Sequence, residues 1–305
     1  MFFPLSRKRV TRAAFFSAAV LSAGTLLHAG RIHAAVVNAL SPMATAYGSF
    51  NWAGYADTVS SSSSGYSFTS VSGEWTVPTV QAPAGGSSSY AAFWVGLDGF
   101  SSSSVEQTGV LAEASGGATQ YFAWYEMYPN ALVPITTMDV KPGDVISASV
   151  TYGGANQYTL LVKDLTTGQS DSVVKTSTSS YARSSAEWIA EAPTIQNFNG
   201  TSSISTLANF GSVTFSNAAA GLENSQGAVT TEPVDGFTSG ATANSISMVT
   251  PTKNPTLLAV PSGLSDTGSP STSSFTISYV PEPGALGLLV SALVSLVLVR
   301  RRRAS

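Results

Sequence analysis

Between two apolar ends, hydrophobic and polar positions alternate in short runs that turn signals break. Val71, Gly73, Trp75 and Val77 alternate with Ser72, Glu74 and Thr76 until Pro78 stops the run. Ile146, Ala148, Val150 and Tyr152 alternate with Ser and Thr in the same way. This period of two predicts strands with one buried face. Residues 91–97, 121–128, 158–165, 172–176, 186–191, 211–216, 246–250 and 275–280 read as further strands. Lys141-Pro142-Gly143-Asp144 has Pro then Gly at the two central positions, a type II turn signature, and Thr166-Thr167-Gly168 marks a hairpin. No window of useful length shows a 3.6-residue period. Many short strands separated by turns predict an all-β fold, a two-sheet antiparallel β-sandwich. The serine runs at 60–64, 87–89 and 101–104 read as surface loops, and residues 251–274 as one long loop before the last strand.

The two ends read as addresses. Arg7, Lys8, Arg9 and Arg12 precede an alanine-rich apolar stretch over residues 13–29, and small residues surround Ala34-Ala35. Residues 1–35 are therefore expected to be a signal peptide removed by signal peptidase. At the other end, Val280-Pro281-Glu282-Pro283 leads into an apolar run over residues 285–299 and then four arginines, Arg300 to Arg303. The run is short against the ~20 residues of a spanning helix, and the arginines would hold that end on the cytoplasmic side. Residues 281–305 resemble a PEP-CTERM sorting signal. The resemblance implies an exosortase-type sorting protease as partner, membrane contact only through this segment, and delivery to the cell surface or beyond. The domain between is expected over residues 46–280.

Charge sharpens this division. The formal net charge of the whole chain is −3, but residues 36–280 hold five bases and 16 of the 17 acids, 5 − 16 = −11. Such a body has no electrostatic footprint for nucleic acid. The chain has no Cys, and its two histidines, His28 and His33, lie in the expected leader. A Ser-His-Asp triad, a thiolate nucleophile and a His-rich zinc site are thereby excluded from the body. Catalysis there would have to use carboxylates, amides, hydroxyls or backbone groups, and neither cofactor nor metal is expected.

Two residues stand out against that background. Glu187, in Ala186-Glu187-Trp188-Ile189, shares one strand face with Ile189 and Glu191, and on spacing alone two acids on one face read as solvated. Gln107-Thr108-Gly109 on its own reads as loop and turn residues. The ordered set of motifs is more specific. Asn51-Trp52-Ala53-Gly54-Tyr55 is followed by Val71-Ser72-Gly73-Glu74-Trp75-Thr76-Val77-Pro78 and by Phe93-Trp94-Val95-Gly96-Leu97-Asp98-Gly99. Next come Gln107-Thr108-Gly109, Ala123-Trp124-Tyr125-Glu126-Met127-Tyr128-Pro129, Leu165-Thr166-Thr167-Gly168-Gln169-Ser170, Ala186-Glu187-Trp188-Ile189 and Phe210-Gly211-Ser212-Val213-Thr214-Phe215.

This series resembles the glutamic peptidase (eqolisin) family over roughly residues 50–280. The resemblance implies a curved, concanavalin-like sandwich with polypeptide substrates lying across a concave face. It places the catalytic glutamate at Glu187 and the catalytic glutamine at Gln107. Trp94, Asp98, Glu126 and Tyr128 match positions lining the cleft, with packing an equal alternative for each, while Trp52, Trp75 and Trp124 read as core. The activity implied is a secreted acid endopeptidase; the competing class is a non-catalytic lectin-like or matrix surface module. The chain departs from fungal members in lacking Cys, in the short stretch between leader and Asn51, and in carrying Phe122 where they have an acid.

Overall fold

The computed structural model describes residues 21–22, 45–59, 65–82, 88–196, 200–234, 241–266 and 272–281. The expected sorting segment beyond Pro281 lies outside the described residues, as does the expected leader apart from Leu21–Ser22, which pairs with Thr194–Gln196. The described chain is strand and loop, without helix.

Fifteen strands of five or more residues, among the twenty in the described residues, build most of the body: β1 (Thr45–Ser49), β2 (Trp52–Val59), β3 (Ser67–Thr76), β4 (Ser89–Leu97), β5 (Val105–Ser115), β6 (Ala118–Tyr128), β7 (Val145–Gly154), β8 (Gln157–Asp164), β9 (Ser170–Thr176), β10 (Ser185–Glu191), β11 (Ser212–Glu223), β12 (Val229–Pro233), β13 (Ala241–Val249), β14 (Leu257–Pro261) and β15 (Ser273–Tyr279). The first sheet runs β6-β5-β4-β10-β2-β13, antiparallel throughout, with β1 added in parallel to β13. The second runs β9-β8-β7-β3-β11, and β11 is continued by β12 and β15. Strand β14 pairs with both β13 and β15, so the sheets join along one edge. The architecture is the antiparallel β-sandwich that the alternation predicts.

Alternation also explains the core. Strand β7 reads intermediate-buried-intermediate-buried over its first six residues, and Ile146, Ala148 and Val150 point between the sheets. Trp75, Trp188, Phe215 and Phe275 fill the same space, with Phe215 stacked on Phe275 at 5.4 Å. Trp188 places its Nε1–H on the Ser72 carbonyl at 2.7 Å, so burying the indole leaves no donor unmatched. Strand β11 bulges at Asn217, whose φ of 50° is left-handed and whose amide donates to Glu74 at 2.9 Å. A bulge bends the strand that carries it.

The sequence reading missed five of these strands, β1, β2, β5, β12 and β14. Residues 105–115 and 52–59 were not among the expected strands, yet β5 and β2 are central. Both are buried on the two faces along much of their length, which erases alternation. The expected loop over 251–274 instead contains β14, whose five residues are too few for a periodic signal.

Candidate active site

The first sheet is buried on both faces. Its inner face joins the main core through Phe93, Val95, Val110, Ala186 and Trp188. Its outer face carries a second cluster of Trp52, Trp94, Trp124, Ile189 and Ile246, packed over by Phe100, Phe122, Tyr128 and Leu132. The supposedly solvated face of Glu187 and Glu191 is therefore buried, and this corrects the spacing argument. Likewise Gln107 lies within an eleven-residue strand.

Register aligns the candidate residues. Glu126 lies opposite Gln107, Gln107 opposite Gly96, Gly96 opposite Glu187, Glu187 opposite Ala56, and Ala56 opposite Asn244. All six occupy the outer face, in one row across six strands. Glu187 and Gln107 flank a residue without a side chain, two strand spacings or about 10 Å apart at the backbone. A Cβ on Gly96 would sit 2.9 Å from the Trp94 ring and 3.1 Å from the Gln107 Cβ. Gly96 is thus a notch between an acid and an amide.

The next row, Trp124-Gly109-Trp94-Ile189-Gly54, repeats the pattern of bulk against glycine. A Cβ on Gly109 would lie 2.1 Å from the Phe93 carbonyl oxygen and 2.7 Å from the Trp94 Cα, both backbone atoms that cannot rotate away. The glycine of Gln-Thr-Gly is needed for this close approach. Gly109→Ala is expected to abolish soluble folded protein or to lower Tm by more than 10 °C, on the order of 3 kcal/mol or more of overpacking; thermal melts of the purified variant check this.

Glu187 is fully buried, and neither of its carboxyl oxygens has a hydrogen-bond partner of regular geometry among the described residues. Burial pushes its pKa well above 4.5, and the charges of Asp98 and Asp57 push the same way. The Ser185 hydroxyl and the Phe100 amide oppose the shift. Phe100 belongs to the loop after Gly99, and its ring meets Tyr47 of β1 edge-on at 5.1 Å. Gln107 is equally buried; its Nε2 donates to Glu126 Oε2 at 2.5 Å, and its Oε1 has no partner among the described residues. Thr108 points to the other face and donates its hydroxyl to the Trp124 carbonyl at 2.7 Å.

The four other expected site residues occupy different places. Trp94 is buried on the outer face and donates its indole N–H to Glu191 at 2.8 Å. Glu126 holds Gln107. Tyr128 is half-buried at the rim of the outer cluster. Asp98 is buried at a φ of 66°, and its carboxylate accepts from the Arg183 amide at 2.8 Å, the Ser184 amide at 2.8 Å and the Ser184 hydroxyl at 3.1 Å. It ties the end of β4 to the segment entering β10, so it braces the two strands that carry Gly96 and Glu187. Burial raises its pKa, and those N–H donors restrain the rise.

Sequence reasoning missed Ser185, Asn51 and Glu106. Asn51 donates to Glu191 at 3.2 Å, and Ser185 sits two residues before Glu187 on the same face. Only the register could have marked the first two, which it places beside Glu187 and Glu191; Glu106 lies on the inner face of β5, opposite Leu97. Among the described residues no three His, Cys, Asp or Glu side chains converge as a metal would require.

An acid and an amide flanking a glycine notch on a buried sheet face define a carboxylate–carboxamide site. The sequence profile of the Peptidase A4 family matches residues 50–255. The chain belongs to this family, the glutamic peptidases. It is 35% identical to aspergillopepsin-2 of Aspergillus niger over 193 residues, 56% of this chain and 64% of that protein. It is also 35% identical to scytalidopepsin B of Scytalidium lignicola over 130 residues, 42% of this chain and 48% of that one. The matches thus span less than two thirds of either relative. The fold resembles scytalido-glutamic peptidase solved with a transition state analog inhibitor, with a TM-score of 0.57, 27% identity, and coverage of 75% of this chain and 98% of the other.

Proposed function

We propose that this protein is an endopeptidase acting on polypeptides in acid, with Glu187 as general base and Gln107 as oxyanion stabiliser. The observation that carries this reading is the row in which the two flank Gly96. Peptide hydrolysis needs a base for the attacking water, an acid for the leaving nitrogen and a donor for the developing oxyanion. Glu187 takes the proton from water and passes it to the leaving nitrogen. Gln107 donates an amide N–H to the oxyanion; being neutral, it does so at any acidity. Trp94, Asp98, Glu126 and Tyr128 shape the cleft, and only Tyr128 of these four has substantial exposure to offer a substrate.

The leader over residues 1–35, the domain over 46–280 and the sorting segment over 281–305 complete the proposal. Signal peptidase and an exosortase-type protease process the ends, which places the enzyme at the cell surface or outside.

The test is digestion of casein by the purified protein from pH 2 to 8. Activity greatest on the acid side of neutrality, and unaffected by chelators, thiol reagents and serine-directed acylating agents, is the expected result. No digestion at any pH would favour the surface-module reading, and loss with a chelator would reveal a metal-dependent mechanism.

A further inference from the structure

We infer that Glu126 is a positioning residue that fixes which edge of the Gln107 amide meets the substrate; this rests on the reading of Gln107 as the oxyanion donor. A glutamine amide has two edges of nearly the same shape and opposite hydrogen-bonding sense. Turned one way it offers N–H to a developing negative oxygen; turned half a revolution it offers Oε1, which repels that oxygen. Packing alone does not tell these apart, because the NH2 group and the oxygen have similar volumes. Gln107 is fully buried, so water does not select between them either.

Glu126 does select. It lies directly opposite Gln107 across β5 and β6, and the Gln107 Nε2 donates to its Oε2 at 2.5 Å. A carboxylate only accepts, so it holds the nitrogen edge on its own side and leaves the second N–H of the same nitrogen as the donor for substrate. Among the described residues Gln107 Oε1 has no partner that would favour the opposite rotamer. Glu126 is itself 1% exposed on a strand of eleven residues, so its place is set by the sheet and not by a mobile loop. It therefore acts through Gln107, and its removal costs orientation of a donor while leaving the donor present.

Four variants of the whole protein test this, with kcat and KM separated on one peptide substrate and Tm measured on each. Glu126→Leu is expected to lower kcat at least ~10-fold, toward the ~10²–10³ loss of deleting an oxyanion donor, with KM changed less than about threefold because the cleft surface is retained. Glu126→Gln keeps an acceptor oxygen within reach of Nε2 and is expected to recover most of that loss. In a Gln107→Ala background, Glu126→Leu is expected to change kcat by less than about twofold, since residues acting as one unit do not add. A full additional loss in that background, or a loss carried by KM and Tm, would make Glu126 a structural or substrate-contacting residue and overturn the inference. If Gln107→Ala itself leaves kcat unchanged, the assignment of Gln107 fails instead; a Gln107→Ala defect with Glu126→Leu at wild-type rate overturns the inference alone.

Discussion

Glu187→Gln is expected to abolish turnover, by about 10³–10⁴ or more in kcat, while the protein stays folded. The substitution keeps the size of the side chain and removes its ability to take a proton, the step that general-base catalysis contributes. Folding is expected to survive because, among the described residues, neither oxygen of Glu187 holds a regular hydrogen bond that an amide would lose. Replacing a buried ionisable group also removes a desolvation cost in neutral solution. Gln107→Ala is expected to cost ~10²–10³, and the double variant little more than Glu187→Gln alone. Circular dichroism and casein digestion at the pH of maximal activity check all three. Asp171→Asn, on the edge strand of the other sheet, serves as the unaffected control. Wild-type digestion by Glu187→Gln would remove Glu187 from the mechanism.

Glu191→Gln is a poor control for the same experiment. Spacing alone makes Glu191 a second solvated acid one step along the face. In the fold its carboxylate is 2% exposed and receives the Trp94 indole and the Asn51 amide. The difference shows what a single strand can reveal. Alternation puts Glu187, Ile189 and Glu191 on one side correctly, because that depends only on the chain's own pleat. Whether that side meets water depends on what packs over it, here Trp52, Trp94 and the Phe100 loop, which are contributed from more than 80 residues away in sequence.

The site was legible in part for the same reason. Glu187 and Gln107 emerge from their motifs together with the lack of Cys and the confinement of His to the first 33 residues, whereas their relation does not. It needs the order β6-β5-β4-β10-β2, in which β10 inserts between β4 and β2 after the chain has passed through the other sheet. Nothing local in 185–191 encodes that insertion. The strong periodic strands, β3 and β7, belong to the second sheet, where one face is only partly covered and alternation survives. The strands bearing the site are masked by being buried twice. Gly109 reads as a turn residue in sequence and Gly96 as an ordinary member of the strand over 91–97, yet both are mid-strand notches whose need appears only when Gln107, Trp94 and the Phe93 carbonyl are brought beside them.

Stability is expected to fall as pH rises above about 4.5, and Glu106 is the residue that tests why. It occupies the inner face of β5, is fully buried, and neither of its oxygens has a hydrogen-bond partner among the described residues. Burial drives its pKa well above 4.5, and the nearby charges of Asp98 and Glu187 add to the shift. Across the core it raises the pKa of Tyr158, which burial has already raised. The sign follows from linkage. Below 4.5 the carboxyl is neutral in both folded and unfolded chains, and its contribution to stability is fully present. Above 4.5 the unfolded chain releases the proton and the folded one retains it. Stability then drops by about 1.4 kcal/mol per pH unit until the folded pKa is reached.

Glu106→Leu removes this group without leaving a polar atom in the core. It is expected to raise Tm by several degrees at pH 7, to change it much less at pH 3, and to flatten the pH dependence of unfolding by about one proton. An unchanged slope in the variant would mean that Glu106 ionises at its ordinary value and that other acids set the decline. Glu187 titrates upward for the same first cause, burial, but with the opposite consequence for rate, because only its carboxylate can accept the proton of water. Activity therefore climbs as Glu187 ionises, while stability declines as long as Glu106 is ionised in the unfolded chain and still protonated in the folded one. In Glu106→Leu the rising acid limb of the casein profile is expected to stay in place, and the falling limb to move to higher pH.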